Sequence, residues 1–211
     1  AHVHASAARR LTDRLLVGPD GRPHRDLVTI LRTVAAPRWS VDVRTVGHAL
    51  GVQHERGCLY GNDIDDPVWL VADEGSVTVA RLDTAALIAA WIGHTAAAPI
   101  DPSTEYTDVL AAGLEEIVPH CTRHTEIVGL RHDHGVATPV DPSIALYDAD
   151  HGRVLATTVQ DPSGRSSTSV RSATPVRTVS ALRSLITSLE RRSVLDDHLV
   201  GVSAQPIGSS G

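Results

Sequence analysis

Two imidazoles and a thiol, those of His120, Cys121 and His124, crowd one short stretch, and His132 and His134 follow it closely. Neutral imidazole and thiolate are good ligands for zinc and similar ions, so the chemistry this grouping could carry is activation of a metal-bound water. A metal-dependent hydrolase would use the His120/Cys121/His124 cluster with a carboxylate such as Glu116. A helix could align the two histidines four apart, but Pro119 interrupts it just before His120. Strand alternation would also separate this set from His132 and His134. The histidines read as turn and surface residues, and no metal and no cofactor are expected.

Other catalytic patterns are weaker. Ser166, Ser167 and Ser169 lie in no Gly-x-Ser-x-Gly elbow, which would hold a nucleophile on a sharp strand-to-helix turn. Asp63, Asp65 and Asp66 lack the order of a calcium loop and read as a solvated connection. No Gly-x-Gly-x-x-Gly or Walker loop offers backbone N–H groups to phosphates. The expectation is a protein that binds and does not catalyse.

Composition sets the frame for that binding. At 211 residues the chain is one medium domain or two closely packed halves, long enough to bury a core without disulfides or metal. Val, Ala and Leu carry the apolar content, Phe and Met are absent, and every basic residue is Arg, which points to a GC-rich genome. The net charge of -6, with arginines scattered among acidic residues, gives no basic stripe, so nucleic acid is not an expected partner. No apolar run approaches the ~18 residues of a membrane span. Arg9, Arg10 and Arg14 are followed by no apolar segment before Pro19, so the N-terminus does not read as a signal peptide. Cys58 and Cys121 form no CxxC pattern, and reduced thiols in a cytoplasmic protein are expected. The sequence does not open on Met, and the native start is expected upstream.

Periodicity supplies the elements. Apolar residues at helical spacing predict helices over 5–16 and over Leu27 to Val34, the second stopped by Pro37. Trp39, Val41 and Val43 alternate with Ser40, Asp42 and Arg44 as a half-buried strand. Thr45 to Asp66 reads as a long polar connection with a short strand at 49–53 or at 58–60. Val68 to Ala72 and Val77 to Val79 form a hairpin, and Asp83 or Thr84 caps a helix that turns Leu87, Ile88, Trp91 and Ile92 inward. A helix is predicted over 101–118, with Tyr106, Val109, Leu110, Leu114 and Ile117 on its stripe and Pro119 at its end. Strands then resume at 125–130, 144–147, 153–158 and 168–171, with turns at His132-Asp133-His134-Gly135, at Asp150-His151-Gly152 and over Asp161 to Gly164. Thr174-Pro175 opens an amphipathic helix carrying Val179, Leu182, Leu185, Ile186 and Leu189 inward, ending near Arg192.

The two halves share a plan of strands, an Asp- and Gly-containing turn and a closing helix. The expected fold is therefore α+β, antiparallel meanders flanked by helices in two halves related by an approximate two-fold. Its parts are an N-terminal half over 1–92, a helical linker over 93–124, a C-terminal half over 125–195 and a disordered tail over 196–211.

Several passages have a familiar order. Val17-Gly18-Pro19-Asp20-Gly21-Arg22-Pro23, then Asp26-Leu27 and Ala36-Pro37-Arg38-Trp39, resembles a passage of the EspG family. So do the hairpin Asp73 to Val79 and its following helix, Thr125 to Val128, and Tyr147 to Val154 with its Gly152-Arg153. The resemblance spans nearly all of 5–195 through short matches in order. It departs in the last strand, where Ser167 or Thr168 replaces a family Trp, in a shorter helical linker, and in a first strand that would lie upstream. The resemblance implies a monomeric or weakly dimeric cytoplasmic chaperone that binds a PE–PPE heterodimer at the tip of the PPE helical hairpin for type VII (ESX) secretion. Carried onto this chain, it implies contacts from the loop Val46 to Val52, with Val46, His48, Leu50 and Val52, and from the helix over 106–118, with Tyr106, Leu110 and Leu114.

Overall fold

The computed structural model describes residues 17–18, 20–47, 53–62, 64–73, 76–80, 84–94, 109–110, 114, 118–149 and 152–202. The helix expected over 5–16 lies outside them. Helix α1 (Arg25–Ala35) is followed by β1 (Trp39–Gly47), β2 (Gln53–Gly61), β3 (Val68–Asp73), β4 (Ser76–Ala80) and α2 (Thr84–His94). Then come β5 (Val109–Leu110), a 3-10 turn (Val118–His120), β6 (Cys121–Asp133), β7 (Val136–Ala149), β8 (Gly152–Gln160), β9 (Ser166–Ser172) and α3 (Pro175–Val202).

Among the described residues nine strands join one antiparallel sheet in the order β4-β3-β2-β1-β6-β7-β8-β9-β5. The chain order explains this arrangement. Each half is a four-stranded meander closed by a helix, and the first strands of the two meanders, β1 and β6, pair antiparallel at the centre. Two like units joined through an antiparallel central pair are related by an approximate two-fold, as the expected α+β architecture required.

Alternation along β1 turns Trp39, Val41 and Val43 toward α2 and α3, where they meet Leu59, Ile127, Ile144 and Leu146 of neighbouring strands. Ile88 and Ile92 from α2 and Leu182, Leu185 and Leu189 from α3 complete this main core. With Phe absent, bulk comes from tryptophan. Trp39 lies over Gly61, where an added Cβ would come 2.1 Å from the ring, and Trp69 covers Gly57 in the same way. Trp91 of α2 meets Trp69 edge to face with ring centroids 5.8 Å apart. On α1, the hydroxyl of Thr33 is buried and accepts from the amide of Asn62, just past β2.

Several expected boundaries change. The segment from Thr45 to Asp66 is no long connection: β1 runs to Gly47 and β2 starts at Gln53, in unbroken register from Trp39↔Gly61 to Gly47↔Gln53. Its polar residues hid the strand, because half of them lie on the face away from the core. The expected linker gives up Cys121 to His124, which already belong to β6. The closing helix continues to Val202, so the first residues of the expected disordered tail are helical. The expected turn over His132 to Gly135 narrows to His134–Gly135, because β6 runs through Asp133, and the pair has φ of 46° and 81°, the left-handed pair that a two-residue hairpin demands. Of the turn expected at Asp150-His151-Gly152, the first two residues lie outside the described ones.

Candidate functional site

The face of the sheet away from α2 and α3 is read by the same alternation. There β1 presents Ser40, Asp42, Arg44 and Val46, and antiparallel register extends each into a row across the sheet. Val46 stands opposite His124, His124 opposite Tyr147, and Tyr147 opposite Val154. The imidazole of His124 stacks on Tyr147, ring centroids 4.8 Å apart and planes within 4° of parallel. Tyr147 packs in turn on the buried cluster of Val154, Ala156 and Val170, against which Leu114 also rests. Val46 and Leu114, both half-buried, therefore share one face, joined by His124 and Tyr147.

The neighbouring row is charged. Asp42, 3% exposed, accepts two N–H bonds from Arg44 (2.6 and 2.9 Å) and two from Arg56 (3.1 Å each). The aspartate holds the Arg56 guanidinium above its usual range, first through the hydrogen bond and then through charge. Glu126, opposite Arg44, completes a small cleft with Val128 and Leu130. At the foot of the sheet Arg123 pairs with Glu55 at 2.8 Å. An apolar and aromatic strip with a paired-charge border is what a non-covalent docking surface needs.

Burial raises the phenol of Tyr147 and the thiols of Cys58 and Cys121, and pushes the phenol of Tyr60 up to about 12. These groups stay neutral at physiological pH. His132, whose Nε2 lies 2.8 Å from Ser40 Oγ, is lowered by burial.

The expected site residues are placed unevenly. Val46 is the last residue before Gly47, whose pairing with Gln53 closes the β1–β2 connection at the centre of the sheet. His48, Leu50, Val52 and Tyr106 lie outside the described residues. Leu110 corrects the expected helix over 106–118: Val109–Leu110 form β5, paired with Val170 and Ser169. A β-branched residue favours that geometry, and β9 would otherwise present an open ladder edge. The register row through His124 and Tyr147 was missed, since alternation along β6 and β7 is visible in sequence but their mutual register is not.

The histidine cluster does not assemble. His120 is exposed in the 3-10 turn, Cys121 Sγ donates to the Arg123 carbonyl at 3.2 Å, and His124 is committed to Tyr147. His134 sits at a hairpin tip and His132 against Ser40. Among the described residues no three His, Cys, Asp or Glu side chains converge on a metal position, and Glu116 lies outside them.

Residues 1–184 match the family model described as the EspG family. No curated protein matches the chain. Among solved structures, the fold is similar to the Mycobacterium tuberculosis type VII secretion system chaperone EspG5 in complex with PE25-PPE41 dimer. That similarity has a TM-score of 0.63 at 14% identity, covering 84% of this chain and 83% of that one, and it is a likeness of fold.

Proposed function

The chain belongs to the EspG family, and on that premise we propose that it is a cytoplasmic chaperone of type VII (ESX) secretion that binds a PE–PPE heterodimer. The mode of binding in this reading is capture of the tip of the PPE helical hairpin. An apolar helix tip in water drives aggregation, and a complementary apolar strip with a polar border removes it from solvent without any bond being made or broken. The observation that carries the reading is the row Val46, His124 and Tyr147 at the root of the central β1–β2 connection. In this reading His48, Leu50, Val52 and Tyr106 contribute partner contacts by the family resemblance, together with Leu110 and Leu114. The face needs no ionised nucleophile, and burial keeps its thiols and phenols protonated.

The test is co-expression with candidate PE–PPE pairs followed by size-exclusion chromatography with light scattering. A ternary complex of stable stoichiometry is expected for at least one pair, and Val46→Glu should abolish it while the melting curve of the free protein stays cooperative. Failure of every PE–PPE pair of the same genome to co-elute would overturn the reading.

A further inference from the structure

The two halves cover their outer strands differently. In the N-terminal half, Trp69 of β3 is met edge to face by Trp91 of α2. In the C-terminal half, α3 packs on β1, β6, β7 and α2, and a groove of about 300 Å³ opens between its flank and the strands β8 and β9. The floor follows the register of those strands, with Leu155 opposite Arg171 and Thr157 opposite Ser169. Leu155 is 5% exposed and belongs to the main core, so the floor lies on the face that carries α2 and α3. Ser180 and Ser184, one turn apart on α3, form the wall. Arg177 stands a turn before them, where its Nη1 donates to the Ser172 carbonyl at 3.4 Å and to the Ser172 hydroxyl at 2.5 Å. Among the described residues that line the groove there are two arginines and no Asp or Glu, in a chain of net charge -6.

We propose that this groove is a second docking site, on the opposite face of the sheet from the row of Val46, His124 and Tyr147, for a short acidic segment of a polypeptide partner. Carboxylates suit it. A guanidinium takes a carboxylate through two parallel N–H bonds, and the hydroxyls of Thr157, Ser169, Ser180 and Ser184 supply further donors. Leu155 and Ala181 leave an apolar base for one small side chain between the acidic ones. From Arg177 to Ser184 the wall spans two turns of α3, about 10 Å, which matches three residues of extended chain at about 3.3 Å each. No aromatic ring is among the described residues lining the groove, so a nucleobase has nothing to stack on, and a peptide is favoured over a nucleotide. The segment binds through its side chains and not as an added strand, because β5 already pairs with the outer side of β9. A partner seated here leaves the Val46 row open, so both faces can be occupied together.

The test is an amide NMR titration of the full chain with the end-capped peptide Asp-Glu-Ala-Glu-Asp, and with Asn-Gln-Ala-Gln-Asn as its neutral counterpart. Saturable shifts are expected at Thr157, Ser169, Ser180 and Ser184 with the acidic peptide alone. Arg171→Gln should raise the dissociation constant about tenfold or more. Arg183→Gln, on α3 but outside the groove, should leave it unchanged. Ser184→Trp fills the groove and should abolish binding while the melting transition stays cooperative. Absence of saturable shifts, or equal weakening by Arg171→Gln and Arg183→Gln, overturns the proposal. So does inorganic phosphate that displaces the peptide at equal concentration, which would make this a bare anion site. Displacement of the peptide by a PE–PPE heterodimer also overturns it, because the groove would then belong to that partner.

Discussion

Asp148 and Arg153 face each other across β7 and β8, each side chain 6% exposed, and the guanidinium donates to Asp148 Oδ2 at 2.9 Å and to the Ile92 carbonyl in α2 at 3.4 Å. Arg153→Met strands a buried carboxylate, and urea unfolding should show a loss of about 3–5 kcal/mol. Adding Asp148→Leu should restore most of it, because an apolar pair leaves no charge unpaired. Gly61→Ala tests the tryptophan contact in the opposite sense: its Cβ would meet the Trp39 ring, and overpacking should cost about 1–3 kcal/mol in the same assay. His132 gives a pH signature. Its folded pKa lies below the ordinary 6.5, so the unfolded chain takes up a proton first as pH falls. Its contribution is complete above about pH 6.5 and shrinks toward the folded-state value, so the melting temperature should fall below that pH, and less steeply in His132→Gln.

At the scale of elements, the hairpin between β1 and β2 decides most. Its ladder closes at Gly47↔Gln53, so a Gly/Ser replacement of residues 48–52 should leave the fold intact by circular dichroism and melting. The same replacement should abolish ternary-complex formation with a PE–PPE pair. This region also shows what sequence conveys. Trp39, Val41 and Val43 announced β1 because their alternation is apolar against polar. β2 was obscured because Gly57 and Gly61, which make room for tryptophan rings, resemble loop glycines until the rings are seen. Tyr106, Leu110 and Leu114 fit helical spacing, which predicts a helix through Leu110. Its pairing with Ser169 is a long-range contact that local periodicity does not encode.

At the scale of the molecule, the doubled meander was legible because both halves carry the same succession of strands, turn and closing helix. Their junction was not, since pairing of β1 with β6 joins residues some eighty positions apart. That junction gives the account its physical sense. The antiparallel central pair puts the β1–β2 connection mid-sheet, and register carries the strip from Val46 through His124 to Tyr147 and the cluster that Leu114 touches. No helix of the described residues is long and apolar enough to cross a membrane. Hydrogen exchange of the protein alone and with a PE–PPE heterodimer bound shows whether this sheet face is where the partner docks. Docking there slows exchange in the β1–β2 connection and in β6 and β7 around His124 and Tyr147, and leaves α3 unchanged. Slowed exchange confined to α2 and α3, with the β1–β2 connection unaffected, would contradict it.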